Sequence, residues 1–433
     1  MNFKAKLESY INIYDQQGYL QGNLLVADKT GILLEQSFGL ASIEFNVVNT
    51  SDTKYQIGSL TKAFTSMAVL ILHQKGYLSI NDSINTYLDS FPNGDKITIY
   101  HCMTCTSGIP NFASLEDFWE TTMRLSWTLD GMLDLFKNLP LEFEPGSQFA
   151  YSNSGYLVLT KIVEVVSGRS YAQFLQEHIF TPLNMTNTGC MNEVDIISNL
   201  ASSYSYWGKE INTPQTNNSF PLGAYGLYST TKDLYLWDQA LRRHELISKN
   251  LTKLMFTINQ GSYACGWAIT KINGQLCRQH FGDISGFVNS IKQFETDEFT
   301  VIFLSNLDLI PVGVITKEIS QLKFDSSFNT TLPLIQPTFP ILLERFVGLY
   351  EEVEDFFSFE IIADEDLFLI VPKLYDIPYK IKLKHLHSDN NKSVFKTEKI
   401  NETLVFIHQE KETFQKIIYT DYYGMTRVAK KIH

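Results

Sequence analysis

The chain has 433 residues, enough for two or three domains at about 150 residues each. It carries 35 Lys and Arg against 47 Asp and Glu, a net charge of −12. A net acidic surface repels phosphate backbones, so nucleic acid is not expected as a partner. With 44% hydrophobic and 13% aromatic residues and only 19% charged, against about 25% in an average domain, the chain can build a large core and is not a disordered tail.

No apolar run reaches the ~18 residues of a membrane span. The N-terminal stretch Met1 to Leu20 lacks the continuous apolar segment of a secretion signal. A mature start, a cytoplasmic location and no membrane span are therefore the expectations. The five cysteines, Cys102, Cys105, Cys190, Cys265 and Cys277, are sparse and odd in number, unlike a disulfide framework. Cys102-x-x-Cys105 has no second C-x-x-C or H-x-x-x-H to complete a metal site, and neither a metal nor an organic cofactor is expected.

In chain order, the apolar runs Gly22–Ala27 and Gly31–Gly39 are separated by Asp28-Lys29-Thr30, which predicts a hairpin. Ser59 to Lys75 has apolar residues at helical spacing, with Gly76 as its stop. Ile97-Thr98-Ile99 reads as a strand leading to a Cys/Thr/Ser-rich loop that ends at Ser107-Gly108-Ile109-Pro110. Helices are expected over Gly155–Val166, closed by Ser167-Gly168, and from near Thr231, with Leu234, Trp237 and Leu241 on one face. From Tyr263 the pattern turns to strands: Tyr263–Lys271, Gln275–Phe281, Gly286–Phe294 and Phe299–Asn306. An Asn273-Gly274 turn between the first two sets Thr270 opposite Cys277. A helical segment near Gly313–Leu322 precedes a stretch with Pro333, Pro337 and Pro340 that reads as an inter-domain linker. Beyond Leu342 the runs Phe356–Ile362, Asp366–Val371, Tyr379–Leu383, Leu404–His408 and Phe414–Thr420 predict a small sandwich or barrel.

The sequence lacks G-x-S-x-G, H-E-x-x-H and a Walker A motif, which removes the simplest α/β-hydrolase, zincin and P-loop readings. It does hold Ser59-Leu60-Thr61-Lys62. Positions i and i+3 share a helix face, and a desolvated lysine can be neutral near pH 7 and take a serine proton. The tetrad also occurs at Ser51, Ser229, Ser320 and Ser393. Context distinguishes Ser59, which opens the most hydrophobic helix in the chain and would aim free N–H groups at a developing oxyanion. Downstream, Pro145-Gly146 precedes Tyr151-Ser152-Asn153, where a phenol and an amide two residues apart can face one cleft. His280-Phe281-Gly282-Asp283 follows the predicted hairpin; a glycine there lets a substrate approach closely, and the next N–H can complete an oxyanion hole. Alone, Ser59 would more often be a helix cap, Tyr151 a core phenol and Asn153 a turn residue. Their ordered combination reverses that reading.

These elements resemble the serine β-lactamase and penicillin-binding-protein-like hydrolases, with the match closest to the class C-like branch of D-amino-acid peptidases, carboxypeptidases and esterases. IGSLTKAFT, CTSGIPNF, PGSQFAYSNSGYLVL, GLYSTTKDLYLW and HFGDISGF resemble recurring segments of that family over roughly Gly22 to Asn306. The resemblance implies an α+β fold, an antiparallel sheet flanked by helices plus an all-helical subdomain, over residues 1–325. A linker over 326–341 and an all-β, lipocalin-like domain over 342–433, marked by Phe346-Val347-Gly348-Leu349-Tyr350, would follow. It implies Ser59 as the acylated nucleophile, Lys62 as its base and Tyr151 as a proton shuttle. Asn153, His280, Gly282 and Asp283 would bind substrate. Cys105 stands where relatives usually carry histidine, and Phe281 is bulkier than the small residue common between His and Gly.

The expected activity is therefore a serine acyl-enzyme hydrolase cleaving an amide in a small peptide-like substrate with a D-residue. Carboxylesterase, β-lactamase and acyl transferase or cyclase activities of the same family are its alternatives, as is an inactive binding scaffold. The expected partners are a small molecule or short peptide, with a homo-oligomer open.

Overall fold

The computed structural model describes residues 2–219, 222–328, 343–352, 357–373, 378–410 and 413–432. An antiparallel sheet of six strands organises the first part of the chain. Its strands are β1 (Gly22–Asp28), β2 (Gly31–Phe38), β3 (Ala268–Ile272), β4 (Gln275–Ile284), β5 (Phe287–Phe294) and β6 (Thr300–Ser305), in the order β3-β4-β5-β6-β1-β2. The early hairpin thus closes onto the late strands, with Leu25 opposite Ile302. The expected Thr270–Cys277 pair forms across the Asn273-Gly274 turn.

β5 and β6 are buried along their whole length because helices cover both faces of the sheet. Leu25, Ile291, Ile302 and Leu304 point to one side, against α2 (Thr61–Gln74), α3 (Asn153–Ser167) and α4 (Thr231–Arg243). The alternate residues Leu24, Val26, Val301 and Phe303 point to the other, against α1 (Phe3–Gln16) and α5 (Val312–Phe324). Every residue of α2 from Thr61 to Leu72 is buried, so this helix is enclosed by protein and its polar side chains need internal partners. Thr65 Oγ1 finds the Gly223 carbonyl at 2.7 Å and the Tyr171 hydroxyl at 2.6 Å. Phe64 stacks on Trp237 at 4.3 Å between ring centroids, which fixes α2 against α4.

Two local readings change. Ile97-Thr98-Ile99 is not a strand: Thr98 caps the short helix Ile99–Met103, its Oγ1 accepting the His101 N–H at 3.1 Å. The cap satisfies an end donor that a strand would leave to a neighbour. The N-terminal segment, read from sequence only for targeting, is α1. Leu7, Tyr10, Ile11 and Tyr14 form its buried stripe, and Tyr10 and Tyr14 both donate to Glu318 Oε2 on α5, at 2.6 and 2.5 Å.

The C-terminal strands close into an eight-stranded antiparallel barrel: β7 (Gly348–Glu352), β8 (Ser358–Asp364), β9 (Asp366–Val371), β10 (Tyr379–Ser388), β11 (Lys392–Thr397), β12 (Thr403–Glu410), β13 (Thr413–Thr420) and β14 (Thr426–Lys431). Of the expected linker 326–341, residues 329–341 lie outside the described residues. The barrel's own core includes Phe346, Tyr350, Phe359, Phe395 and Phe406. It rests on the first part of the chain through Lys373 Nζ, 2.5 Å from Asp308 Oδ2, and the Tyr379 hydroxyl, which donates to the Asp308 carbonyl at 3.0 Å. The Gly208 N–H adds a bond to the Lys380 carbonyl at 2.7 Å, and Ile381 and Ile400 pack into the same cluster as α1. Among the described residues, no helix is long and apolar enough to cross a membrane. No group of three or more His, Cys, Asp or Glu there could hold a metal ion, and the cysteines are free.

One buried ion pair locks α4 to the sheet. Asp238, with 1% of its side chain exposed, faces Arg242 Nε at 3.0 Å. Arg242 also donates to the Phe294 carbonyl and Thr300 Oγ1, each at 2.9 Å. Burial raises the Asp238 carboxyl and Arg242 opposes the rise. Arg242→Met leaves that carboxyl buried without its cation. The free energy of unfolding from urea titration should fall by about 3–5 kcal/mol; a wild-type value would show that the pair does not hold the helix.

Candidate active site

Ser59 lies in a 3-10 turn, Gly58–Leu60, that runs directly into α2. Backbone and side-chain bonds from three directions fix this turn. The Ile57 N–H donates to the Leu227 carbonyl at 2.9 Å, Asn289 Nδ2 donates to the Gln56 carbonyl at 2.9 Å, and the Leu227 N–H reaches Thr61 Oγ1 at 3.3 Å. Gly58 has φ of +53°, and a Cβ there would meet the Asp283 nitrogen at 2.8 Å. The turn and the end of β4 are therefore pressed together backbone to backbone, with room only for glycine.

Lys62, one turn along, is fully buried. Its Nζ is 3.0 Å from Ser59 Oγ, 2.8 Å from Asn153 Oδ1 and 2.9 Å from the Ala224 carbonyl. Burial depresses the amine to about 7. A neutral amine has two N–H bonds and one lone pair. The Asn153 oxygen and the Ala224 carbonyl can only accept, so they take the two hydrogens, and the lone pair is left to the Ser59 hydroxyl. That is the arrangement a serine base requires.

Tyr151 keeps 38% of its surface exposed, yet its phenol end is desolvated and held well above its ordinary pKa, while its hydrogen bond to Ser59 pulls the other way. It is a neutral O–H donor beside the nucleophile. Lys62 Nζ sits 4.8 Å from the centroid of its ring and 5.4 Å from that of Tyr156, faces that favour the ammonium once a proton has moved there. Asn153 begins α3, and its N–H is held by Asn111 Oδ1 at 3.1 Å.

Ser59, Tyr151, Asn153 and Asp283 line one cavity of about 900 Å³. From β4 and the turn beyond it the wall is made by Asp283, Ile284 and Ser285, not by His280, for which substrate contact was expected. His280 is buried beneath that wall. Its Nδ1 lies 2.7 Å from the Phe281 carbonyl, which can only accept, so Nδ1 carries the hydrogen and Nε2 accepts the Tyr263 hydroxyl at 2.9 Å. Burial, with Lys62 nearby, holds the imidazole neutral, depressed to about 3. Gly282 presses on the nucleophile turn and is absent from the cavity wall. Cys105 is buried, and burial pushes its thiol up to about 11, which makes it a packing residue rather than a thiolate.

Several participants carried no sequence signal. The Ala224 carbonyl is backbone, and Tyr263 is one tyrosine among 22. Trp119 and Met123 line the cavity from the helical side, and Phe357, Glu402, Tyr419, Asp421, Tyr422 and Arg427 line it from the barrel.

An antiparallel sheet covered by helices, with a serine and a buried lysine one turn apart at its edge, has the form of the penicillin-recognising serine enzymes. Residues 5–290 match the family model described as Beta-lactamase, and the chain belongs to that family, whose members are serine hydrolases working through an acyl-enzyme. It is 30% identical over 319 residues to the putative penicillin-binding protein PbpX of Bacillus subtilis (strain 168), covering 72% of this chain and 77% of that one. Among solved structures, the octameric penicillin-binding protein homologue from Pyrococcus abyssi aligns with a TM-score of 0.66 at 23% identity over 98% of this chain and 99% of that one. D-amino acid amidase from Ochrobactrum anthropi SV3 shares the fold of the first part, with a TM-score of 0.63 at 20% identity over 74% of this chain and 99% of its own.

The packing of β4 on the nucleophile turn gives a test. A methyl at Gly282 would meet the Ile57 carbonyl oxygen at 2.1 Å, so Gly282→Ala must push the Ser59 turn away from β4. Displacement on the 1 Å scale costs on the order of 10²-fold in rate. Single-turnover acylation should fall by about that factor; a wild-type rate would show that the contact does not set the geometry.

Proposed function

We propose that this protein is a serine acyl-enzyme amidase acting on a small, peptide-like substrate with a D-residue at the scissile amide. The observation that carries the reading is the Lys62 amine, buried and bonded so that its lone pair meets the Ser59 hydroxyl. In the first step Lys62 takes the Ser59 proton as Oγ attacks the carbonyl carbon. The N–H groups of Ser59 and Asp283 receive the oxyanion, and Asn153 holds the substrate amide. Tyr151, kept protonated by its surroundings, passes its proton to the departing amine and is resupplied from the Lys62 ammonium. Water then enters and the same groups run in reverse to release the acid. His280 and Gly282 act as positioning residues, one through Tyr263 and the other through the Ser59 turn.

The choice of substrate is supported by the D-amino acid amidase among the structural neighbours and by a cavity of about 900 Å³ walled by aromatic side chains, which suits a short peptide derivative. The test is intact-protein mass after exposure to a fluorophosphonate, beside turnover of paired D- and L-amino acid amides. One adduct on the wild type and none on Ser59→Ala is the expected result, with D-amides turned over faster; no adduct, or equal adducts on both proteins, overturns the assignment. Because the neutral amine is the active form, the acylation rate should rise about tenfold per pH unit below 7 and level off above it. A rate flat from pH 5 to 8 would contradict Lys62 as the base.

A further inference from the structure

Two hairpin loops of the sheet share one backbone geometry. Asn273-Gly274 joins β3 to β4 between the paired residues Ile272 and Gln275, with φ of +47° and +77°. Ser285-Gly286 joins β4 to β5 between the paired residues Ile284 and Phe287, with φ of +47° and +85°. Two successive left-handed residues make the type I′ turn, whose first position favours Asn, Asp or Gly. The turn at the far end of β4 obeys that preference. The turn on the cavity wall puts Ser285 there instead. A side chain in a conformation its backbone disfavours persists only where its surroundings hold it.

The contacts that hold it come from outside the hairpin. Ser285 Oγ accepts the Thr216 N–H at 2.9 Å and lies 2.7 Å from Thr216 Oγ1. Thr216 is 7% exposed, so both bonds are shielded from water. Its segment is tied down in turn, with Gln215 Nε2 donating to Ser203 Oγ and Thr213 Oγ1, each at 3.1 Å. A Cβ at Gly286 would meet Thr213 Cγ2 at 2.8 Å and the Tyr204 nitrogen at 3.0 Å. The whole turn is therefore pressed against the segment that carries Thr216.

Asp283, the second oxyanion donor of the proposed mechanism, precedes Ser285 by two residues on the same wall. Such a donor works only if its N–H is fixed where the oxyanion will form. On the Ser59 side, the close approach of Gly58 fixes it. On the other side, a serine turn has no conformational preference of its own to offer, and the bonds to Thr216 take that part. We propose that Ser285 and Thr216 are positioning residues, whose bonded hydroxyls latch the β4–β5 turn and so aim the Asp283 N–H at the oxyanion formed when Ser59 attacks. The inference rests on the acyl-enzyme reading of Ser59 and specifies how its oxyanion site is held.

The test separates the latch from the turn. Ser285→Gly gives the turn a residue that suits its backbone better, so the protein should fold at least as well, and it removes the hydroxyl. The probe is a fluorophosphonate, whose phosphoryl oxygen gains charge as Ser59 attacks, with the limiting labelling rate and the half-saturating concentration measured separately. In Ser285→Gly the limiting rate should fall about tenfold while half-saturation stays within about twofold. The pH midpoint near 7, set by Lys62, should not move. Thr216→Val should lower the limiting rate about threefold, and Thr216→Ser, which keeps the hydroxyl, should restore it. A wild-type limiting rate in Ser285→Gly overturns the latch, and so does a fall carried by half-saturation or by a shifted pH midpoint. Equal losses in Thr216→Val and Thr216→Ser overturn it too. Labelling of the wild type keeps the two readings apart: a labelled Ser59 with an indifferent Ser285→Gly defeats the latch alone, and an unlabelled Ser59 defeats the acyl-enzyme reading and the latch with it.

Discussion

Burying the lysine amine of residue 62 is the constraint from which the site follows. Lowering that amine from 10.5 to about 7 corresponds to about 5 kcal/mol against its charged form. The surroundings make this tolerable by fixing both hydrogens of the neutral amine on Asn153 Oδ1 and the Ala224 carbonyl. Among the described residues no carboxylate pairs with Nζ; one there would favour the ammonium and remove the base. A helix buried on all sides keeps water from doing the same, and α2 is such a helix.

The rest of the first part serves to hold that helix and the turn before it. Trp237 grips Phe64 from α4, and Thr65, the next residue, ties α2 to Tyr171 and Gly223. Asn289 brings the centre of the sheet to Gln56. Gly58 and Gly282 let the nucleophile turn and β4 meet with no side chain between them, so Ser59 and Asp283 reach one cavity. The barrel then closes that cavity from above. Its docking uses the ion pair Lys373–Asp308 and apolar residues such as Ile381, which makes the roof part of the same packed body as the floor.

Much of this was legible in the sequence, for reasons that can be named. The helices at Ser59–Lys75 and Gly155–Val166 announced themselves because their apolar residues are dense and a glycine ends each one. The Asn273-Gly274 turn fixed its hairpin register because few turns suit that dipeptide. The barrel was legible as a sandwich or barrel, but β7, β11 and β14 were not anticipated. Their outward faces carry Glu351, Lys392, Lys396 and Lys430, which mask an alternation that only the inner side chains obey. Thr98 was misread because β-branched flanks suggest a strand when the partner of its hydroxyl, the His101 N–H, is not visible. Ser59, Lys62, Tyr151 and Asn153 meet as their motif order suggests, since each sits at or near a helix start. The roof could not be read: Glu402 and Tyr419 lie hundreds of residues from Ser59, and no local pattern reports which barrel edge faces the cleft.

The claim at the centre of this account is that Lys62 is a neutral amine at physiological pH. Its most direct test is an NMR titration of lysine side chains labelled with carbon-13 at Cε, with the Lys62 signal assigned by its absence in Lys62→Arg. The account predicts that the signal lost in Lys62→Arg titrates near pH 7, below that of buried Lys292, which burial depresses to about 8, and well apart from the exposed lysines near 10.4. A Lys62 signal that titrates with the others near pH 10 would contradict it, because the amine would then be an ammonium in use and could not take the Ser59 proton.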